Sequence, residues 1–455
     1  MLELSVSRHS WKYWRLIWEN SCKETILSPD KQHQTTETKP RPWKARVIAL
    51  WGVMALLGPG IITSNVDNDA GGITTYSLAG ANFGLSLLWS LIPITIVLVI
   101  VQEMGARMGV VSGKGLSDLI REKFGVKITF YMMILLIVTN LGNTIAEFAG
   151  IAASLEIFGI SKYLAVPISI LFLMWLAVKG TYRSVEKVFL TACVFYVAYV
   201  VAGFLIKPDW IEVVEAVAAP TFRADAAFMV MLTGLVGTTI APWMQFYLQA
   251  SVVDKGLRVE DLKTVRIDVV IGSLGVSVVA FFIILACAST LFKAGIKIDE
   301  AAQAALALEP LAGKYCTWLF AFGLFNASMF AAAILPLSTA YTICEAFGWE
   351  SSLDKKFSEA PQFYGLYCFT IIFSGIIILL PNLPLISLMY ISQVINGLVL
   401  PVVLVFMLIL INDPKVMRKN TNGRLFNAVA WLSVIGLIIL SLMTIILTLG
   451  SDLFT

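Results

Sequence analysis

The chain has 455 residues, of which 58% are hydrophobic and only 14% are charged. Soluble globular domains carry about 25% charged residues, so this composition excludes an ordinary soluble protein and indicates an integral membrane protein. The formal net charge of +3 argues against a nucleic-acid partner, and the high apolar content excludes a disordered chain.

Cysteine and histidine are too sparse for a soft metal site inside the membrane. Six cysteines are scattered along the chain, and no two of them form a Cys-x-x-Cys pair. The two histidines, His9 and His33, both lie in the N-terminal tail. A Cys/His metal site or a histidine base within the membrane is therefore excluded. The first 46 residues contain no apolar signal-peptide core, so we expect no cleavable signal peptide.

Eleven apolar runs of about 17–25 residues are long enough for helical membrane spans. They begin near Val47, Leu85, Ile128, Tyr163, Val188, Ala226, Val269, Tyr315, Phe363, Leu385 and Phe426. With a cytoplasmic N-terminus, all but six of the 33 basic residues lie on the inner side. Those six are Lys162, Lys207, Arg223, Lys293, Lys297 and Lys314. The positive-inside rule therefore predicts a cytoplasmic N-terminus and an extracytoplasmic C-terminus.

The first span is interrupted by polar residues. It runs from Leu50 to Val66, continues as Asp67-Asn68-Asp69-Ala70-Gly71-Gly72 and resumes at Ile73. Two carboxylates and a glycine pair cannot form an ordinary helix facing lipid, because charged groups at that depth are costly. Backbone at membrane depth unwinds only where it is buried in protein or lines a wet cavity. The first span therefore predicts a buried polar site.

The sixth span is interrupted as well. It runs from Phe228 to Ile240, meets Ala241-Pro242 and resumes at Trp243. Pro242 removes a helical donor and frees a carbonyl about one turn earlier, near Thr238. A proline kink alone is common in membrane helices and often has no direct role. The carboxylates in the first break therefore carry more weight.

Breaks in spans one and six are typical of two inverted five-helix repeats with a binding site between them near the membrane midplane. The sequence therefore predicts an all-α membrane protein with a LeuT-type fold and about eleven transmembrane helices. We predict a cytoplasmic tail at residues 1–46 and a first five-helix repeat at 47–206. A second repeat with its connecting loops follows at 207–411, and residues 412–455 form a loop and an additional eleventh helix.

Asp69 lies at the first break. In the inverted-repeat fold, the backbone carbonyls that lose their helical partners in both breaks would lie near it. One carboxylate with several neutral oxygens is a hard-ligand site that suits Mg²⁺, Mn²⁺ or Ca²⁺ rather than copper. Asp67 is a candidate second carboxylate, although its spacing could equally turn it toward an outer vestibule. Gln393 in span ten could add an amide oxygen or could instead make an interhelical hydrogen bond.

Four motifs follow one another along the chain. They are Gly58-Pro59-Gly60 with Asp69-Ala70-Gly71-Gly72, the stretch from Gln102 to Gly113, Thr144-Ile145-Ala146-Glu147, and Ile391-Ser392-Gln393-Val394. This ordered series resembles the NRAMP divalent-metal transporters, whose first-helix signature is Asp-Pro-Gly-Asn. The resemblance extends from about Gly58 to the last span.

Several positions depart from that family pattern. Gly72 replaces the family's Asn ligand, and the sixth-helix Met-Pro-His reads Ala241-Pro242-Trp243. Thr144 replaces the third-helix Asp, although Glu147 remains, and the ninth span lacks the family's basic residues. Without the sulfur and the Asn, the site is larger and harder, which suits Mg²⁺. Without the titratable groups, most of the proton relay is missing. These departures resemble the NRAMP-related magnesium transporter branch.

The resemblance implies uptake of partly hydrated Mg²⁺ by alternating access, without strict proton coupling and without a cofactor. The implied metal-site residues are Asp69, Val66, Gly72, Thr238, Ala241 and Gln393, with Asp67, Asn68, Glu147 and Trp243 around them. Asp69 would be the one charged ligand, beside carbonyls of Val66 and Thr238. Gln393 would approach in an occluded state. The small residues at positions 72 and 241 would leave room for waters.

Other functions remain open at this point. The first is a proton-coupled NRAMP transporter of Mn²⁺ or Fe²⁺, against which the missing Met and His argue. The second is a LeuT-type symporter of an organic substrate, although Asp69 would repel a substrate carboxylate. The third is a nonselective channel, although two broken helices at repeat-related positions favour alternating access. A membrane enzyme is excluded by the lack of a membrane histidine and of a phosphate-binding glycine loop. The expected partners are the divalent ion and the lipid bilayer, and the oligomeric state is open.

Overall fold

The computed structural model describes Gly60, Thr63 and the ranges 66–178, 196–351 and 357–453, with the side chains of 177–178 and 450–453 excepted. The chain divides into two units, Met1–Met54 and Ala55–Thr455, and every described residue belongs to the second unit. The predicted cytoplasmic tail, most of the first half of span one and the start of span five lie outside the described residues. Predictions about those segments, and about which way the termini face, stay predictions.

The described part of the chain is helical and contains no strand. Its longer helices, numbered in chain order from α1 to α14, are Ala70–Phe83, Leu91–Ser112, Leu116–Phe124, Val126–Glu156, Lys162–Val178, Val197–Leu205, Trp210–Ala218, Ala226–Thr239, Pro242–Asp254, Leu262–Cys287, Cys316–Phe347, Pro361–Ile378, Leu385–Ile411 and Arg424–Leu453. Short helical turns occur at Leu88–Ser90, Val259–Asp261, Ala288–Phe292, Ala301–Ala305, Leu306–Leu308, Glu309–Ala312, Gly313–Tyr315 and Pro414–Met417.

Each of the eleven predicted spans contains at least one helix of the described part of the chain. Within the described ranges, eight helical segments are long and apolar enough to cross a membrane, and Lys162–Leu176 is a shorter apolar helix. The first and fifth spans are represented by α1 and α6, whose preceding residues are largely undescribed. Many large apolar side chains stay exposed on the outer faces; on α14, Leu425 and Leu432 are 80% and 70% exposed. Such surfaces suit lipid rather than water.

Span seven begins earlier than its hydropathy predicts. The apolar run starts near Val269, but α10 begins at Leu262. Its first two turns carry charged residues that an apolar-run count leaves out. Arg266 donates from Nε to Glu103 Oε1 at 2.8 Å, and Asp268 accepts from the backbone N–H of Gly60 at 2.6 Å. The helix therefore extends past the apolar region into a polar cluster that it helps to form.

Local residue chemistry sets several helix ends. Asp225 precedes α8, and its side chain accepts the backbone N–H of Phe228 at 2.9 Å, which satisfies one of the unpaired donors of the first turn. Gly113 and Gly348 end α2 and α11 with φ of 64° and 73°, a left-handed conformation that glycine adopts without steric cost.

The helices form two packed groups. Spans one, two, six and seven pack on one another through contacts of α1 and α2 with α8, α9 and α10. Spans three, four, eight and nine form the second group, through contacts among α4, α5, α11 and α12. Span ten, α13, contacts α1 and α8 of the first group and α4 of the second. Both interrupted spans therefore lie in the same group and face α13.

Gly237→Ala is expected to destabilise the protein, because α8 and α13 approach closely at this glycine. A Cβ at Gly237 would collide with the carbonyl of Gln393 and the backbone nitrogen of Gly397. Since these are backbone atoms, α13 would have to move away from α8. Overpacking of this kind typically costs about 1–3 kcal/mol. The thermal unfolding midpoint of the purified protein in detergent measures the effect.

Gly275→Ala is the matched control. Gly275 lies inside α10, and no neighbouring atom of the described chain lies within 4 Å of where its Cβ would be. Alanine is favoured over glycine in a helix interior by about 1 kcal/mol, so this variant should unfold at the wild-type temperature or above it. A Gly237→Ala protein as stable as Gly275→Ala would contradict the close packing of α8 and α13.

Candidate metal centre

The first break is shorter than the sequence predicts. Asp67, Asn68 and Asp69 are non-helical, and α1 begins at Ala70, so the glycine pair belongs to the first helical turn rather than to the break. The reason is a helix cap: Asp69 Oδ1 accepts the backbone N–H of Gly72 at 2.6 Å. The central carboxylate is therefore fixed to the N-terminus of α1, where the helix dipole favours a negative charge.

The second break lies where it was predicted. Helix α8 ends at Thr239, and Ile240 and Ala241 leave the helical conformation, with ψ of 60° and 144°. Helix α9 then begins with Pro242 at its first position. Proline has no N–H to donate and its φ suits the first helical turn, so the sequence both ends one helix and starts the next.

Oxygens from the two breaks converge beside Gly72. The position that a Cβ on Gly72 would take lies 2.6 Å from the Asp67 carbonyl oxygen, 3.3 Å from Thr238 Oγ1 and 3.4 Å from Asp69 Oδ1. The prediction that Gly72 leaves room for waters therefore needs a correction. The missing side chain allows the Asp67 carbonyl to approach, so part of that room is already filled by protein oxygens.

Gln393 lies against the same region from α13. Its side-chain amide nitrogen occupies the place of a Cβ on Gly71, two residues after Asp69. Its backbone carbonyl packs against Gly237 beside Thr238. The predicted residues Val66 and Ala241 flank the two breaks and are each 1% exposed. The structure thus brings residues from spans one, six and ten together.

Three buried side-chain oxygens around the breaks have no hydrogen-bond partner among the described residues. They are Asp67 Oδ2, Asn68 Oδ1 and Thr238 Oγ1. Their residues are at most 2% exposed, so these oxygens do not contact bulk solvent. Buried polar atoms without partners are rare in native proteins and typically mark a bound water or ion.

Glu147 reaches the first break from span three. Its Oε2 accepts the backbone N–H of Ala70 at 3.2 Å, and its carboxyl group interacts with that of Asp69. Glu147 is fully buried. This contact gives the Glu147 carboxyl a structural role, because it satisfies an unpaired donor at the start of α1.

The ligand chemistry is that of oxygen alone. No group of three or more Asp, Glu, His or Cys side chains converges to hold a metal within the described residues. The break residues offer carboxylates, a hydroxyl, an amide and backbone carbonyls, and neither sulfur nor imidazole lies among them. A divalent ion there would depend on one or two carboxylates, neutral oxygens and water.

Comparison with known proteins identifies the family. Residues 60–447 match the family model described as Nramp, natural resistance-associated macrophage protein-like. The chain belongs to this family. The resemblance drawn from the sequence motifs is therefore confirmed, and its extent agrees with the matched range.

A curated relative and two solved structures are similar to this NRAMP chain over most of its length. The divalent metal cation transporter MntH of Deinococcus radiodurans is 25% identical over 406 residues, covering 86% of this chain and 88% of that protein. The Eremococcus coleocola manganese transporter, in complex with an aromatic bis-isothiourea compound, is 22% identical with a TM-score of 0.69, covering 92% and 90%. Mhp1, a nucleobase-cation-symport-1 family transporter in a closed conformation, is 14% identical with a TM-score of 0.54, covering 86% and 91%. The predicted LeuT-type membrane fold is confirmed, and these relatives are named as transporters rather than enzymes.

Two departures from the NRAMP pattern have clear structural surroundings. Trp243, in place of the family's histidine, is 2% exposed, and its carbonyl accepts the hydroxyl of Ser338 at 3.2 Å. Thr144, in place of the third-helix Asp, donates its hydroxyl to the Asn140 carbonyl at 2.8 Å. Span nine, α12, carries no charged residue. Neither substituted side chain can titrate near neutral pH, as the sequence predicts.

The sequence did not reveal several residues that shape this NRAMP site. The hydroxyl of Thr238 faces the convergence of oxygens, whereas only its carbonyl was predicted as a ligand. Tyr196 donates its hydroxyl to the Asn68 carbonyl at 2.6 Å. Tyr76 and Thr239 share a hydroxyl hydrogen bond of 2.8 Å that links α1 to α8. These contacts join distant parts of the chain, so no local pattern signals them.

Proposed function

We propose that this NRAMP-family divalent metal transporter imports Mg²⁺, partly hydrated, by alternating access and without obligatory proton coupling. The observation that supports this most strongly is the set of buried oxygens without partners around Asp69. Water bound to a cation would supply the missing hydrogen-bond donors. Mg²⁺ dehydrates reluctantly and is usually held by one or two carboxylates with several waters kept.

The proposed ligand set follows the geometry of the two breaks. Asp69 supplies the charge, and Thr238 and the carbonyls of Asp67 and Val66 supply neutral oxygens. Gln393 completes the set from span ten when the site closes. Ala241 keeps the space beside the ion free of a large side chain. The carboxylate of Asp67 and the amide of Asn68 would hold waters of the ion rather than the ion itself.

The absence of a sulfur ligand supports Mg²⁺ over a transition metal. Thioether and thiolate ligands favour softer ions, whereas carboxylate, carbonyl and water suit Mg²⁺, Ca²⁺ and Mn²⁺. At the position where the family carries methionine, this chain carries Ala241. The proton-coupled Mn²⁺ or Fe²⁺ transporter is the competing function, since Mn²⁺ also accepts oxygen ligands.

Ala241→Met is expected to shift the preference from Mg²⁺ toward Mn²⁺ by roughly tenfold, equivalent to about 1.4 kcal/mol. The thioether adds a softer ligand and takes space from the ion's waters. Gly72 is left unchanged in this variant, because a Cβ there would lie 2.6 Å from the Asp67 carbonyl. Competition of each ion for transport measures the preference.

Ala241→Leu separates the sulfur from the volume. Leucine fills similar space without a ligand atom, so it should weaken the binding of both ions and leave their ratio near the wild-type value. If Met and Leu at position 241 give the same Mg²⁺/Mn²⁺ ratio, the ligand chemistry at this position does not set selectivity.

Calorimetric titration of the purified wild-type protein, first with Mg²⁺ and then with Mn²⁺, tests the proposed substrate. We expect saturable Mg²⁺ binding that weakens the subsequent binding of Mn²⁺, because both ions use one site. Saturable Mn²⁺ binding with no Mg²⁺ heat and no competition by Mg²⁺ would favour the manganese transporter instead. Binding of neither ion would contradict the metal site altogether.

A further inference from the structure

A chain of side-chain amides runs from span three to the metal site. Asn143 on α4 and Asn396 on α13 hydrogen bond reciprocally: Asn143 Nδ2 donates to Asn396 Oδ1 at 3.1 Å, and Asn396 Nδ2 donates to Asn143 Oδ1 at 2.8 Å. Asn396 Nδ2 also donates to Gln393 Oε1 at 3.0 Å. All three residues are at most 2% exposed. The proposed ligand Gln393 is thus held by a second residue, which is itself held by another helix.

In this arrangement the nitrogen end of the Gln393 amide faces the break. The oxygen end points to Asn396, while the nitrogen lies against Gly71 at the start of α1. The nitrogen also donates to Ser392 Oγ at 3.2 Å. An NH₂ group suits a site lined by carboxylate and carbonyl oxygens, but it cannot bind a cation. A cation at the break requires the amide to turn, so that its oxygen replaces its nitrogen.

The reciprocal Asn143–Asn396 pair makes that turn possible without losing a hydrogen bond among the three amides. In this pair each amide donates one hydrogen bond to the other and accepts one from it. If both amides rotate by half a turn, oxygen and nitrogen exchange places in each, and both bonds form again in the opposite sense. Asn396 then offers its oxygen to Gln393 in place of its nitrogen. The Gln393 nitrogen can donate to it, which frees the Gln393 oxygen to face the break. Both arrangements contain three hydrogen bonds among the three amides.

We propose that Asn143 and Asn396 are positioning residues that set which end of the Gln393 amide faces the metal. The three amides turn together between an arrangement without a cation and one with it. This inference rests on the proposed transport of a divalent cation. The two arrangements have equal hydrogen bonding among the three amides and differ in the 3.2 Å bond from Gln393 Nε2 to Ser392 Oγ, so the cation's preference for oxygen decides between them. The pair also holds the amide in place, which lowers the entropy lost when the ion binds.

A double-mutant cycle separates this role from a merely structural one. Asn396→Ala and Asn143→Ala should each weaken cation binding roughly two- to tenfold, the range expected when an ordered side chain becomes free. In a Gln393→Ala background, the same two substitutions should have no further effect, since they act through Gln393. Each variant is titrated calorimetrically with Mg²⁺ and separately with Mn²⁺.

Asn140→Ala is the matched control. Asn140 lies on α4 one turn before Asn143, is 1% exposed, and donates to Thr339 Oγ1 at 3.0 Å rather than to α13. It should leave the cation affinity unchanged. The two test substitutions lie on different helices, so if one variant fails to fold, the other still tests the inference. The thermal unfolding midpoint of each variant is measured beside its titration to show that the protein is folded.

The outcomes distinguish this inference from the proposed function. If the wild type binds Mn²⁺ but not Mg²⁺, the proposed substrate is wrong, and the cycle with Mn²⁺ still decides the role of the amides. If Asn396→Ala and Asn143→Ala weaken binding equally with and without Gln393, the two residues do not act through it and the inference is wrong. Unchanged affinity in both single variants would also overturn it.

Discussion

Asp69→Asn is expected to reduce Mg²⁺ transport to the level of protein-free vesicles while the protein stays folded. Asparagine keeps a side-chain oxygen that can accept the Gly72 N–H, so the cap of α1 is retained and only the charge is lost. Removing one partner of a buried charge pair costs about 3–5 kcal/mol, because the other charge is left uncompensated. That corresponds to more than a hundredfold loss of affinity.

Asp225→Asn is the matched control for this substitution. Asp225 also caps a helix in one of the interrupted spans, through a hydrogen bond to Phe228, but it lies at the far end of α8 from the break. Its neutralisation should leave Mg²⁺ transport close to wild type. Wild-type transport by Asp69→Asn, or an equal loss in both variants, would contradict the assignment of Asp69 as the central charge.

The second large effect expected is a response to membrane potential without movement of protons. A divalent ion gains about 4.6 kcal/mol per 100 mV, twice the roughly 2.3 kcal/mol of a single charge. Each tenfold ratio of inside to outside ion concentration costs about 1.4 kcal/mol. An inside-negative potential of 100 mV would therefore support a Mg²⁺ concentration ratio of more than about a thousandfold. The ion gradient and the potential would therefore drive uptake without a second ion.

Proteoliposomes with imposed potassium diffusion potentials measure this response. Mg²⁺ entry should increase with inside-negative potential, and the internal pH should stay constant. Glu147 is a titratable group that this chain shares with the family pattern, and it is buried against the first break. Internal acidification that tracks Mg²⁺ entry and disappears in Glu147→Gln would restore proton coupling through that residue.

The interrupted helices are the features that sequence predicts best, because their causes are local. Pro242 cannot donate within a helix and therefore lies at the first position of α9. The acidic pair in the first span cannot face lipid. The extent of the first break was overstated, since a glycine pair suggests irregular backbone, whereas the Asp69 cap draws both glycines into α1. Cap geometry depends on side-chain rotation, which a residue pattern does not contain.

Contacts that shape the site across the fold could not be predicted from the chain. Asn143 and Asn396 are more than 250 residues apart, and each alone is an unremarkable polar residue in an apolar span. The same holds for Tyr196 and its bond to the Asn68 carbonyl. Gln393 is the intermediate case: its position in span ten suggested a ligand or an interhelical hydrogen bond, and its described oxygen instead accepts from Asn396 on the same helix.

Mg²⁺ entry into proteoliposomes, reported by a trapped Mg²⁺ indicator at a fixed inside-negative potential, tests the central claim most directly. Vesicles with the wild type, with Asp69→Asn and without protein are compared, with and without external Mn²⁺. We predict saturable Mg²⁺ entry with the wild type, reduced by Mn²⁺, and entry with Asp69→Asn equal to that of empty vesicles. Entry of Mn²⁺ without any entry of Mg²⁺, or equal Mg²⁺ entry with the wild type and Asp69→Asn, would contradict a magnesium transporter built around Asp69.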